Sequence, residues 1–357
     1  MYLKGDRILI VGAGLAGVLL ALELESQGTD CLLAGWPLPG QASAIAAGII
    51  NPITGRHLKK TWLAEKLLPF AKQHYQELEK RLEARFYFEL PNIRPLLSHE
   101  EANMFKLKIE QEGLQDWIEW QAELPTVPLQ HLHAEAGYLS TKFGGYVDVP
   151  TLIVAAKQYL LARGKYITAQ VQPTDIGKGS NNSHIWMGQQ FGQIVLCLGS
   201  WGKLWPGQEQ LPLQPLKGEL LILADPEGSP LPGVLNRNSY LAPRADGSLW
   251  AGSTYQHQYA DALPTEQGGK QILERVSAYY KAPMQVLQHK AGLRPSVADR
   301  RPLVGKIAVK PNTFVFNGLG TKGVSLGPYF AAQLVANILH GSAIDPACDP
   351  EREIGRS

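Results

Sequence analysis

The chain has 357 residues, a formal net charge of +2, 45% hydrophobic residues and 18% charged residues. At roughly 100–200 residues per domain this allows two or three domains with a large core, and the composition excludes a disordered chain. The near-balanced charge, with no block of five or more like charges, argues against a dedicated nucleic-acid or polybasic membrane binder.

Near the N-terminus, Lys4 and Arg7 precede an uncharged run from Ile8 to Leu22. That run is shorter than the roughly 20 residues of a transmembrane helix. Glu23 and Glu25 follow it, not a small-residue cleavage site, so no signal peptide is expected. Arg7 to Val11 is a short apolar, β-branched run that predicts a buried parallel strand. Gly12-Ala13-Gly14-Leu15-Ala16-Gly17 follows at once, then a helix over Val18 to Glu25 with Gly28 at its C-terminal end. Cys31 to Ala34 predicts a second strand, completing a βαβ unit of about 30 residues.

Trp36 to Arg56 is rich in Gly, Ala, Pro and Ser and predicts a loop with one helical turn. Apolar residues at 63, 67, 70, 75, 78 and 82 predict an amphipathic helix from Leu63 to Arg85, with Pro69 near its start. Pro91 to Pro128 carries no clear period, and His131 to Leu139 predicts a strand. Val149-Pro150-Thr151 opens a helix that runs through Leu161 and stops at Gly164. Gln193 to Leu198 is again a buried strand, ended by Gly199-Ser200-Trp201-Gly202. From Leu216 to Thr254 the pattern changes to short strands separated by turns, among them Asp225-Pro226-Glu227-Gly228 and Ala245-Asp246-Gly247. Thr313 to Phe316 returns to the first style, followed by a glycine-rich stretch and a helix over Val324 to Leu339 closed by Gly341.

Glycine is in excess, 36 residues or about 10% against a typical ~7%, and it is clustered. Gly12, Gly14 and Gly17 fit GxGxxG between strand and helix. Gly12 permits the tight turn, Gly14 lets a pyrophosphate approach the backbone, and Gly17 lets helix and strand pack closely. The helix N-terminus, at Leu15 and Ala16, offers unpaired N–H groups and positive dipole charge. The acidic residue that normally ends the second strand to bind ribose is missing: Ala34 and Gly35 stand there, and Asp30 is too early. One βαβ unit does not separate NAD from FAD. A second glycine cluster, Gly318-Leu319-Gly320-Thr321-Lys322-Gly323, opens the last helix about 300 residues later. Backbone N–H groups from Thr321 to Val324 and the Lys322 ammonium suit the pyrimidine end of a flavin, where negative charge develops on reduction.

With these residues in hand, the chain resembles the flavin-dependent D-amino acid oxidase superfamily, most of all its glycine oxidase and sarcosine oxidase branch. The likeness runs nearly end to end: GAGLAG at 12–17, SAIAAGIINP at 43–52, GGYVDVPTL at 144–152, VLCLGSW at 195–201, SYLAPRADGSLWAGST at 239–254, AGLRPSVADRRPLVG at 291–305 and FNGLGTKGVSLGP at 316–328. The last motif is also similar to the FAD domain of the bifunctional enzyme that modifies wobble uridine in bacterial tRNA.

The resemblance implies an α/β fold, α+β overall. A discontinuous Rossmann-type FAD-binding domain would take residues 1–85, 140–212 and 286–357, and an antiparallel-sheet substrate domain 86–139 and 213–285. It implies oxidation of a C–N bond by hydride transfer to flavin N5, with the imine then hydrolysed. Besides the two glycine clusters, Ser43, Ala46, Ala47, Gly48, Gly199 and Trp201 would contact the flavin. Tyr240 would stand over the flavin, and Arg294 beside it would grip the substrate carboxylate, which its planar fork pairs through both oxygens. Lys322 completes the catalytic set. No counterpart of the family's covalent flavin cysteine is evident, so FAD is expected to be dissociable. Oxygen or a quinone would accept the electrons.

Cys31, Cys197 and Cys348 are too widely spaced for a disulfide framework or a metal pair, which suits a reducing cytoplasm. His131-x-His133-x-Glu135 would put three ligand types on one strand face, but without a second pair at metal spacing no metal is expected. Arg56, His57, Lys59 and Lys60 extend the flavin loop, either as a solvated turn or to recognise an anionic group. Lys217-Gly218-Glu219 departs from the glycine-centred turn of relatives. Two other functions stay open: a tRNA-modifying flavoenzyme, opposed by the low net charge, and a flavoprotein without turnover.

Overall fold

The computed structural model describes residues 7–55, 57–121, 131–226, 231–308 and 310–352. Lys4, Arg56, Glu227 and Gly228 lie outside the described residues. Two large sheets organise the chain. The first has six strands in the order Tyr166–Thr168, Cys31–Gly35, Ile8–Val11, Gln193–Leu196, Thr313–Asn317 and Leu303–Lys306. The first five are parallel and only the last is antiparallel to its neighbour.

Covering both faces of this sheet explains its uninterrupted apolar runs. Ile8 and Ile10, with Leu33, Val195 and Phe316, pack under the helices Leu15–Ser26, Ala64–Leu82 and Gly323–His340. Leu9 and Val11, with Leu32, Ala34 and Leu196, face the other way onto Trp186 and Phe191 of a small antiparallel sheet. The last helix ends at Gly341, whose φ of +69° is left-handed, as a glycine after a helix allows.

The second sheet has eight strands in the order Gln285–Arg294, Leu216–Ala224, Leu249–Gly252, Ser239–Pro243, Val234–Arg237, Asn92–Pro95, Tyr138–Thr141 and Ile118–Gln121. It is antiparallel except where Val234–Arg237 runs parallel to Asn92–Pro95. One face packs on the helix Glu266–Ser277 through Leu221, Leu223, Leu241, Ile272 and Val276. The turn at Ala245–Gly247 joins Ser239–Pro243 to Leu249–Gly252 as expected, and Asp246 closes it by accepting from the N–H and hydroxyl of Ser248.

Two expectations change. The strand placed over His131–Leu139 starts only at Tyr138, because a turn at Glu135–Ala136 and the left-handed Gly137 interrupt it. The unassigned stretch after Pro91 contains a helix, His99–Gln111. Ser98 caps it by accepting from the N–H of Glu101, while the Glu101 carboxylate accepts from the N–H of Leu97. The Ser-x-x-Glu spacing at 98–101 is the local signal for that helix start. Among the described residues no helix is long and apolar enough to cross a membrane.

Candidate active site

A cavity of about 610 Å³ lies at the carboxyl ends of the parallel strands and reaches one face of the eight-stranded sheet. That is where open parallel sheets bind ligands. All the site residues anticipated from sequence line it except Gly17 and Gly318, which pack behind it. A Cβ on Gly17 would strike the carbonyl of Gly12, and one on Gly318 would crowd Val297 and Leu303.

The first glycine turn is built as the GxGxxG spacing requires. Gly12 sits at φ +109° and donates its N–H to the Ala34 carbonyl at 2.8 Å. Gly14 precedes the helix without a side-chain cap, so the helix start is open to the cavity. Ser43 reaches this helix from the next loop, its hydroxyl accepting from the N–H of Leu15 at 3.0 Å. Trp201 lines the cavity too, and its buried indole N–H has no partner among the described residues.

The last helix presents a second open start, again without a side-chain cap at Lys322. Asn317, which sequence reasoning missed, ties two of the glycine turns together. Its amide donates to the Gly199 carbonyl at 2.9 Å and accepts from the Gly318 N–H at 2.8 Å. Lys322 donates to the Thr61 hydroxyl at 2.8 Å. Burial first, then the nearby charges of Arg300 and Arg301, push its ammonium down to about 8.

This shift has a consequence for stability. The folded pKa lies below the unfolded one, so the penalty of burying the ammonium is fully present below pH 8 and fades between pH 8 and the unfolded value near 10.5. Lys322→Met is therefore expected to raise the Tm of the apoprotein at pH 7, with the gain shrinking as pH rises from 8 toward 10. A gain independent of pH would show that the ammonium carries no such penalty.

The substrate side of the cavity is a glycine floor on the eight-stranded sheet. Gly218 opposes Gly292, and Leu220 opposes Gly252, on three adjacent strands. The Arg294 guanidinium lies on Gly218, where a Cβ would overlap its carbon and both terminal nitrogens. It donates to the Thr254 carbonyl at 3.1 Å and the Ser253 hydroxyl at 2.8 Å, and its carbon lies 4.8 Å from the centre of the exposed Tyr255 ring. The Tyr240 hydroxyl approaches Gly252 so closely that a Cβ there would sit 2.7 Å from it. Burial pushes the Tyr240 phenol up to about 12, with Arg294 and Arg244 pulling the other way, so it is a neutral donor at pH 7.

Arg244, also missed, joins this sheet to the loop after the second strand. It donates to the Ala47 carbonyl at 2.6 Å, with its guanidinium carbon 4.2 Å from the ring centres of both Tyr146 and Trp250. Strand alternation explains the Lys217-Gly218-Glu219 departure. Gly218 faces the site, while Lys217 and Glu219 turn to the other face. There the buried Glu219 carboxylate lies 3.5 Å from the Lys217 ammonium and accepts from the N–H and hydroxyl of Thr265.

Lys59, Lys60, His131, His133 and Glu135 do not line the cavity. Lys59 pairs with Glu112 and Lys60 with Glu65, so this stretch behaves as a solvated, charge-balanced turn. His133 lies 3.8 Å from Glu135 and the His131 ring packs against Tyr280, so the three do not share a strand face. All three cysteines are free and buried, and Cys197 alone of them lines the cavity.

Residues 7–338 match the model of the FAD dependent oxidoreductase family. The chain belongs to that family. A curated relative, glycine oxidase of Pseudomonas aeruginosa, is 25% identical to the oxidoreductase over 369 residues, covering 97% of each chain. Among solved structures, glycine oxidase from Geobacillus kaustophilus matches with a TM-score of 0.79 at 22% identity, covering 98% of this chain and all of that one. L-Proline dehydrogenase from P. horikoshii matches at 0.76 and 17% identity, covering 98% of each. These two likenesses show a shared fold.

The oxidoreductase's own residues fit FAD. Two helix starts, the first with its Leu15 N–H already taken by Ser43, and the glycine turns offer backbone N–H groups to an anionic, elongated ligand. Among the described residues the Trp201 indole has no partner and offers one more donor, and no carboxylate acts on the Lys322 charge.

Proposed function

We propose that the oxidoreductase oxidises the C–N bond of a small amine bearing a carboxylate, of the glycine, D-amino acid or N-alkyl amino acid type, with the imine product hydrolysed by water. The observation that carries this reading is the Arg294 guanidinium lying across Gly218, beside Tyr240, in the wall of the cofactor cavity. Bound FAD supplies the hydride acceptor. Arg294 pairs the substrate carboxylate through both terminal nitrogens. Tyr240, neutral and donating, orients the same substrate. Lys322 and the start of the last helix keep positive potential at the far end of the cavity, where the reduced cofactor carries negative charge. Ser43 and Arg244 anchor the loop after Cys31–Gly35 to the first helix and to the eight-stranded sheet, so the substrate meets a preformed surface.

FAD is held without a covalent bond, a reading supported by Cys31 and Cys348 lying away from the cavity and by the burial that keeps the Cys197 thiol protonated. The cofactor part comprises the six-stranded sheet and its helices, and the substrate part the eight-stranded sheet. We count Gln285–Arg294 with the sheet it pairs in and so draw the later boundary after Arg294 and not at 285. The free cysteines suit the cytoplasm, and oxygen or a quinone takes the electrons. The paired Lys59 and Lys60 count against a tRNA substrate.

The test is anaerobic bleaching of the bound flavin's visible absorbance by a panel of amino acids, N-methyl amino acids, amines without a carboxylate, and tRNA. Amino acids are expected to bleach it and simple amines to fail. If no amine bleaches it, the reading falls; bleaching by tRNA alone would restore the RNA alternative.

A further inference from the structure

We propose that Trp36, with Gln170 alongside, holds the adenosine half of FAD in place of the acidic residue that dinucleotide sites carry at the end of the second strand. The chain has no way to present a carboxylate at that point. Ala34 is fully buried in the core face of the sheet, against the cluster that contains Trp186 and Phe191. Gly35 abuts the first glycine turn, and a Cβ on it would overlap Ala13. The close approach of strand end and phosphate loop has thus taken the space that an acidic side chain would need.

The next residue is Trp36. It is 49% exposed, large and apolar, and it lines the cavity. Its carbonyl accepts from the Gln41 amide at 3.0 Å, and Pro37 follows it, so the loop is fixed. The facing wall is the segment after Tyr166–Thr168, the strand next to Cys31–Gly35, whose Ala169 N–H donates to the Gly35 carbonyl at 3.1 Å. Gln170 and Gln172 of that segment line the cavity. Among the described residues no acidic or basic side chain lines this end. Adenine therefore meets an indole, and the ribose hydroxyls meet amides. A base on an aromatic ring is held by stacking and tolerates the loss of charge-assisted bonds.

The test is titration of the apoprotein with FAD, read by flavin fluorescence, with FMN as the probe that lacks adenosine and ADP as a competitor. Variants are compared only where the apoprotein keeps the parental Tm. Trp36→Ala is expected to weaken FAD at least about tenfold and to blunt displacement by ADP to the same degree, while FMN changes less than about twofold. Trp36→Phe keeps FAD close to the parent. Trp36→Glu, which supplies the missing carboxylate, does not tighten FAD. Unchanged FAD affinity in Trp36→Ala, an equal loss for FMN, or tighter FAD in Trp36→Glu would each overturn the proposal.

Discussion

Arg294→Ala is expected to lower kcat/KM for carboxylate-bearing amines by about 100- to 1000-fold, mainly through KM. The magnitude follows from two charge-assisted hydrogen bonds, each worth about 1.5–3 kcal/mol, to a half-buried guanidinium. The guanidinium already donates to Thr254 and Ser253, so each terminal nitrogen keeps one N–H for the substrate. Arg294→Lys should recover little, because a single ammonium cannot span both oxygens and stacks poorly under Tyr255. FAD affinity and the apoprotein Tm separate binding from folding: both should match the parent in Arg294→Ala. If the carboxylate substrates also show unchanged kinetics, Arg294 does not bind them.

Gly218→Ala is expected to reproduce most of that loss without touching the arginine. The new methyl would occupy the space of the Arg294 guanidinium, which must leave its bonds to Thr254 and Ser253. The backbone at Gly218 is ordinary strand, so the effect comes from crowding alone. The expected result is a KM raised by about 100-fold for the same substrates, with FAD affinity and Tm near the parent. Pairing Gly218→Ala with Arg294→Ala should add little beyond either alone, since both remove one interaction. Full additivity in that double-mutant cycle would mean that Gly218 acts elsewhere.

Both variants show what can be read along a chain and what cannot. The phosphate turn was legible because its physics is local. A strand, three spaced glycines and a helix are consecutive, and each glycine has its own reason there. Ser43, Ala46, Ala47 and Gly48, like Tyr240 and Arg294, were legible only through ordered motifs that resemble a family. No period or spacing says that residue 240 and residue 294 share a site. Asn317 and Arg244 lay inside motifs already quoted, yet they went unnoticed. Their partners, Gly199 and Ala47, are 118 and 197 positions away. The strand expected over His131–Leu139 failed for a different reason: apolar alternation continued through a turn that Gly137 makes possible.

By itself the sequence determined the βαβ unit, the two glycine-rich helix starts, the change of style after Leu216 and the absence of a ribose carboxylate. These depend on neighbours within a few turns of backbone. Only the tertiary structure decided that Gly218 and Gly252 are the floor for Arg294 and Tyr240, that Lys322 is buried beside the charges of Arg300 and Arg301, and why Gly35 must stay bare. Each of those is set by atoms from distant segments meeting at close-packed distance, and one-dimensional order does not encode which surfaces will touch. The glycine excess counted at the outset therefore has two origins: turns, fixed locally, and side chains laid flat across a sheet, fixed only by the fold.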